Sequence, residues 1–197
     1  MKIIFSDINK DIVNALMLAF TDCPNVAASL GDIFRFKADV IFSPANSFGF
    51  MDGGIDFAYT KFFGKSVQDI LQKRIREEFN GELLVGQAAE VVTFNQDIPW
   101  LISAPTMRVP QNISNTVNVY LSFKAALRLA KSMGVKSILS PGFGTCTGGV
   151  NSEVAARQMR YAYEHIINNY NPNLTSLMEY YKTDSWLKLK RLSQREF

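Results

Sequence analysis

Short, wholly apolar runs set between helical periodicities are the feature that most narrows what this chain can become. Val40-Ile41-Phe42, within Asp39 to Ser43, and the run Ser137 to Ser140 show no polar alternation. Strands of this kind are buried on both faces, as in parallel sheets covered by helices. Lys2 to Phe5, Ala89 to Phe94 and Trp100 to Ala104 read as further strands, and Pro24 to Ser29 is another candidate. Helical spacing marks Asp11 to Phe20 through Ile12, Leu16 and Ala19, and Ile55 to Phe63 forms a helix closed by Gly64. Ser66 is a suitable N-cap for a helix with the stripe Ile70, Leu71, Ile75 and Phe79, ended by Asn80-Gly81. Asn115 to Met133, stopped by Gly134, and Ser152 to Asn168 complete the helices. Strand and helix therefore alternate, which predicts an α/β layered fold.

Size and charge restrict the rest. A chain of 197 residues with 47% hydrophobic residues can fill one core without staples. The net charge of +3 permits an anionic ligand but argues against a nucleic-acid partner, which usually draws a concentrated basic face. Cys23 and Cys146 are far apart and in no paired motif, so neither a disulfide framework nor a metal site is expected. The apolar run at Met1 to Phe5 is too short for a secretory leader, and no stretch approaches the length of a membrane span. The expectation is a cytoplasmic protein. Beyond Asn171-Pro172 the composition becomes aromatic and basic, with Tyr180, Tyr181, Trp186, Lys188, Lys190 and Arg191. That tail reads as an appended helix docked on the domain. A partner or nucleic-acid contact is the lesser alternative.

Two loops carry the chemistry. Ser43-Pro44-Ala45-Asn46-Ser47, followed by Met51-Asp52-Gly53-Gly54-Ile55-Asp56, joins a buried strand to a helix. Ligands of open α/β sheets bind outside the carboxyl ends of strands. Glycine lets the backbone approach them, and the helix start offers unpaired N–H groups and partial positive charge to an anion. Asn46 carries both donors and an acceptor, as ribose hydroxyls require. Asp56 lies in the first helical turn, where an ionised carboxylate is favoured, so it serves either as an electrostatic cap or as a reacting group. The second loop, Ser140 to Gly149, also runs from strand to helix. Gly142, Gly144 and Gly148 allow a nest of N–H groups, and Thr145 and Thr147 add hydroxyls.

Competing motifs fail on spacing. Phe63-Gly64-Lys65-Ser66 resembles the end of a P-loop, but Tyr59 stands where the first glycine belongs. Gly142 and Gly144 suggest a dinucleotide fingerprint, but Thr147 replaces its third glycine, late in the chain. Arg108, between two prolines, is either a phosphate contact or a surface ion-pair partner. Phe143 is a core anchor or a cleft wall, and Asp7 a turn residue or a helix cap. His165, the one histidine, is expected to be structural or exposed.

Taken together, Gly31-Asp32-Ile33, Pro44-Ala45-Asn46-Ser47, Gly53-Gly54-Ile55-Asp56, Ala104 to Pro110, Pro141-Gly142-Phe143-Gly144-Thr145 with Gly148-Gly149, and Ala155 to Met159 resemble the macrodomain family. The similarity covers roughly residues 1–170, with 171–197 as a helical extension. It implies a three-layer α/β/α sandwich around a mixed, mostly parallel sheet, and a cleft for ADP-ribose. The resemblance assigns the adenine amino group to Asp32, with Ile33 beside the ring, and the distal ribose to Asn46. It assigns the diphosphate and distal ribose to Gly53, Gly54 and Ile55 and to Gly142, Phe143, Gly144, Thr145, Cys146, Thr147 and Gly148. Hydrolase members carry an aspartate at the spacing of Asp56 from Asn46, which makes these two the catalytic candidates, with no cofactor or metal. Asp52 stands where many members have glycine, and Cys146 replaces another. Three functions follow: a hydrolase of ADP-ribosyl linkages or of ADP-ribose 1"-phosphate esters, a non-catalytic ADP-ribose-binding module, or a structural protein that has kept the fold.

Overall fold

The computed structural model describes residues 1–189, so Lys190 and Arg191 of the basic tail lie outside the described residues. The chain runs β1 (Lys2–Asp7), α1 (Lys10–Ala19), β2 (Val26–Leu30), a 3-10 turn (Ile33–Arg35), β3 (Val40–Ser43), α2 (Gly54–Phe63) and α3 (Ser66–Glu78). It continues through β4 (Ala89–Val92), β5 (Trp100–Ser103), α4 (Asn118–Ser132), β6 (Ser137–Ser140), α5 (Ser152–Ile166) and α6 (Leu177–Lys188). The strands form one sheet in the order β2-β1-β6-β3-β5-β4. All neighbours are parallel except β4, which runs antiparallel to β5.

The apolar runs have no polar alternation because helices cover both sheet faces. Val40 and Phe42 of β3, Ile138 of β6 and Ile102 of β5 point into one core with Ile12 and Leu16 of α1, Phe123 and Leu127 of α4 and Met159 of α5. Ile41, Leu139 and Leu101, the alternate residues of the same strands, point into a second core with Tyr59 of α2 and Val67, Leu71 and Ile75 of α3. Successive side chains of a strand face opposite sides, so one sheet serves two cores. The result is the expected three-layer α/β/α sandwich with a mixed, mostly parallel sheet.

Local chemistry moved several boundaries. Asn9, not Asp7, caps α1, its side chain accepting from the N–H of Asp11 at 2.9 Å. Ser66 is the first helical residue of α3 rather than its cap, and no side chain caps that helix. The helix expected from Asn115 begins at Asn118, because the Thr116 N–H and Oγ1 both donate to the carbonyl of Ile113 and close a separate turn.

The aromatic tail docks as α6. Ser176 and Glu179 form a capping box at its start. Trp186 meets Tyr161 edge-on at 5.8 Å, and Leu187 is buried. Arg157 donates to the carbonyls of Trp186 and Leu189, and buried Gln158 donates to those of Leu187 and Thr116. No helix among the described residues is long and apolar enough to cross a membrane.

Candidate functional site

Parallel pairing brings the chemistry to one edge. Strands β2, β1, β6, β3 and β5 share a direction, so Leu30, Asp7, Ser140, Ser43 and Ser103 end together. The segments that follow these residues contain every side chain expected at the site. The loops after β6 and β3 are neighbours because those two strands pair directly, Val40 with Ile138 and Ile41 with Leu139.

The loop after β6 is shaped by close packing. A Cβ on Gly142 would meet Ile12 at 2.6 Å, and one on Gly144, where φ is +73°, would meet Val119 at 2.7 Å. A Cβ on Gly148 would lie 2.5 Å from the carbonyl oxygen of Gly144. Only glycine lets this turn close. The Gly142 N–H donates to Asp7 Oδ2, the Gly149 N–H to Cys146 O and the Val150 N–H to Gly144 O. The N–H groups from Phe143 to Gly148, by contrast, find no acceptor among the described residues. Such a run suits an oxyanion. The Phe143 side chain is fully buried and meets Phe123 edge-on at 5.2 Å, so it anchors the loop in the core and leaves only its backbone for a ligand. Cys146 and Thr147 are exposed, and Thr145 is half-buried.

The loop after β3 is pinned differently. Asn46 spends its side chain on the loop itself: Oδ1 accepts from the N–H groups of Phe48 and Phe50, and Nδ2 donates to Phe50 O at 2.7 Å. One Nδ2 hydrogen remains for a ligand. Gly49 tucks against Leu71 and Ile75, with φ at +68°. Gly53 and Gly54 then stand exposed, with nothing near where a Cβ would be. At Gly53 the backbone is extended, so neither packing nor conformation calls for glycine, and room for a ligand is the reason left. No side chain caps α2, and the N–H groups of Gly54, Ile55 and Asp56 are without protein acceptors among the described residues.

Asp56 is not on the open rim. Only 6% of it is exposed, and Ser43 Oγ, at the end of β3, donates to its Oδ1 at 2.5 Å. Burial pushes its carboxyl up to about 7, the nearby charge of Asp52 adds to the rise, and the Ser43 hydrogen bond opposes it. At neutral pH it is therefore poised between its two protonation states.

The 3-10 turn after β2 holds Asp32 exposed. Its Oδ1 accepts from the Phe34 N–H at 2.9 Å, and its Oδ2 has no partner among the described residues. The Ile33 side chain is 3% exposed and belongs to the second core, so it supports the turn from beneath. Arg108 pairs with Glu82 at 2.7 Å and lies over the Phe48 ring, as a surface ion-pair partner would. His165 lies near the far end of α5, its Nδ1 2.9 Å from the Tyr120 hydroxyl, and burial and Lys124 lower its pKa. Both cysteines are free, and among the described residues no three His, Cys, Asp or Glu side chains gather as a metal would need.

A groove of about 440 Å³ lies elsewhere, between α1, α5 and α6. Its arginines are already engaged, Arg160 by Asp22 and Glu164 and Arg157 by α6 carbonyls, so it offers less free chemistry than the carboxyl edge.

Comparison with known proteins agrees with this fold. The Macro domain family model matches residues 42–159. An uncharacterized protein of Aquifex aeolicus is 35% identical over 130 residues, 66% of this chain and 74% of the relative. Another from Aeropyrum pernix is 31% identical over 139 residues, 70% of this chain and 69% of the relative. Among solved structures, the macrodomain of Mycobacterium tuberculosis DarG superposes with a TM-score of 0.59 at 20% identity, covering 70% of this chain and 88% of that one. A mutant Oceanobacillus iheyensis macrodomain with ADPR gives 0.57 at 23%, covering 67% and 73%. Thermosipho africanus DarTG in complex with ADP-ribose gives 0.57 at 15%, covering 84% and 50%.

Proposed function

This chain belongs to the macrodomain family, and on that premise we propose that it binds ADP-ribose, or an ADP-ribosylated substrate, along the carboxyl edge of its sheet. The observation that carries this reading is the pair of unspent backbone donor sets on adjacent loops, Phe143 to Gly148 after β6 and Gly54 to Asp56 at the start of α2. A diphosphate has two anionic centres and needs donors on both flanks, and the open space above Gly53 and Gly54 leaves room for it. Asp32 Oδ2 accepts the adenine amino group, and the spare Nδ2 hydrogen of Asn46 meets the distal ribose. Ile33 contributes from beneath the turn, through its backbone. The order along the sheet, Asp32 after β2, donors after β6, donors and Asn46 after β3, repeats the order of base, diphosphate and ribose in the ligand. The relatives solved with ADP-ribose and ADPR support the same ligand class. Residues 1–170 form the binding domain and 171–197 its extension, in a cytoplasmic setting suited to two free cysteines.

Hydrolysis of an ADP-ribosyl linkage or of an ADP-ribose 1"-phosphate ester is the second reading, and one observation favours it. A carboxyl poised at about pH 7, ten residues from Asn46 and in the turn that faces the diphosphate, has the proton affinity of a general base at neutral pH. Its burial means that it would act through Ser43 or through a water admitted beside it.

Calorimetric titration with ADP-ribose tests the binding reading, and no heat at millimolar ligand would remove both nucleotide functions. Asp32→Ala should weaken ADP-ribose at least about tenfold, the loss of one charge-assisted hydrogen bond. Ribose 5-phosphate should be affected far less, and equal weakening of the two would deny Asp32 an adenine role.

A further inference from the structure

We propose that Asp52 selects the acceptor: the cleft takes ADP-ribosyl groups whose anomeric substituent is neutral or cationic and turns away the ADP-ribose 1"-phosphate ester. The proposal rests on the ADP-ribose reading of the carboxyl edge. Asp52 is exposed, and among the described residues its side chain has neither a hydrogen bond nor an ion pair. It does not cap α2, where Gly53 holds the cap position. Its backbone is nonetheless held on both sides. Buried Met51 donates its N–H to Gln68 Oε1 at 2.7 Å, and its carbonyl accepts from Thr60 Oγ1 at 3.1 Å. The Gly53 carbonyl accepts from the Phe57 N–H at 3.2 Å, the bond that opens α2. The carboxylate thus stands on a short span between two anchors. Two residues before it, the Phe50 carbonyl is gripped by Asn46 Nδ2, which places Asp52 within about 8 Å of chain from that contact. The charge therefore lies beside the group assigned to the distal ribose, and open space above Gly53 adjoins it.

The charges of the two loops decide the sign. Ser43 to Asp56 and Ser140 to Gly149 contain no Lys or Arg, and their acidic side chains are Asp52 and Asp56. Arg108 lies alongside, its carbonyl accepting from the Ser47 N–H at 3.1 Å, but its guanidinium is held by Glu82. The diphosphate is answered by N–H groups on both loops. A further phosphate on the anomeric carbon would bring about two more negative charges to a place where the fixed charge is a carboxylate. Like charges facing each other across a binding site turn away the wrong partner. A neutral glycoside or ester escapes that repulsion, and a guanidinium acceptor is attracted. Asp52 also disfavours ionisation of Asp56, a local cost that no packing contact of Asp52 offsets. A role toward the ligand accounts for it.

The test is titration of the full chain and of Asp52→Asn with ADP-ribose, ADP-ribose 1"-phosphate and ADP-ribosylarginine. The side chain is exposed and unpartnered, so the variant should melt no lower than wild type. Wild type should bind ADP-ribose at least about tenfold more tightly than the 1"-phosphate, a gap that narrows in roughly 1 M salt as screening shortens the reach of charge. Asp52→Asn should tighten the 1"-phosphate by about fivefold or more, leave ADP-ribose within about twofold, and weaken ADP-ribosylarginine. Opposite signs for the last two ligands are the mark of charge, because a change of shape would move both in one direction. Movement in one direction, or equal tightening of ADP-ribose and its 1"-phosphate, would overturn the proposal and leave the reading of the site intact. Release of inorganic phosphate from the 1"-phosphate by wild type would overturn it as well. Absence of wild-type binding of ADP-ribose would overturn both.

Discussion

Cys146→Asp is expected to abolish most ADP-ribose binding while the protein melts at the wild-type temperature. Cys146 is exposed at the middle of the run of unspent N–H groups that follows β6, and no packing depends on it. On the ADP-ribose reading, a diphosphate oxygen is the acceptor for the unspent Cys146 N–H. A carboxylate at this position places a fixed negative charge against the ligand's two. Like charges juxtaposed in an interface cost several kcal/mol, so affinity should fall at least about a hundredfold, or about 2.7 kcal/mol. Cys146→Ser keeps size and neutrality and should stay within about threefold, well under 1 kcal/mol. Adenosine, which carries no phosphate, should bind both variants like wild type. If Cys146→Asp bound ADP-ribose normally, the phosphates would lie elsewhere.

Asp56→Asn should remove the loss of stability that this carboxyl causes as pH rises. The folded-state pKa of Asp56, about 7, lies above the ordinary carboxyl value of 3.8, so the folded protein holds a proton that the unfolded chain gives up. Wild-type stability from this group is intact below about pH 4 and falls as pH climbs through the window from 3.8 to about 7. The full loss is about 4 kcal/mol at most, at about 1.4 kcal/mol per unit. Asparagine keeps an oxygen for the Ser43 hydroxyl and carries no charge. The variant should match wild type in urea melts near pH 4 and exceed it near pH 8, and parallel curves would contradict a protonated Asp56. The same variant separates the two functions. In a hydrolase, release of ADP-ribose from an ADP-ribosylated protein should drop by about a hundredfold or more with binding retained. Equal release by both forms would exclude Asp56 from the chemistry.

The layered fold was legible because apolar runs like Val40-Ile41-Phe42 leave few options: a strand without alternation needs cover on both faces, and both cores are present. The two loops were legible for a related reason, since glycines clustered between a buried strand and a helix are costly unless something must come close. What each side chain does there was not legible. Asn46 turns its amide into its own loop, and Ile33 and Phe143 bury their side chains and leave only their peptides. Sequence marks a position as important without saying whether backbone or side chain acts. The hydrogen-bond partner of the buried Asp56 is Ser43, thirteen residues away, and the partner of Arg108 is Glu82, twenty-six away, distances that no local pattern carries. The late start of α4 came from one hydroxyl, that of Thr116, competing for a backbone carbonyl.

The most direct test follows backbone amide resonances of ¹⁵N-labelled protein during titration with ADP-ribose. The N–H signals of Gly54 and Ile55 and those from Phe143 to Gly148 should shift downfield together, along one binding curve, as their hydrogens acquire phosphate acceptors. If those signals stayed in place while others moved, or if the two loops titrated with separate affinities, a shared diphosphate seat at the carboxyl edge would be contradicted.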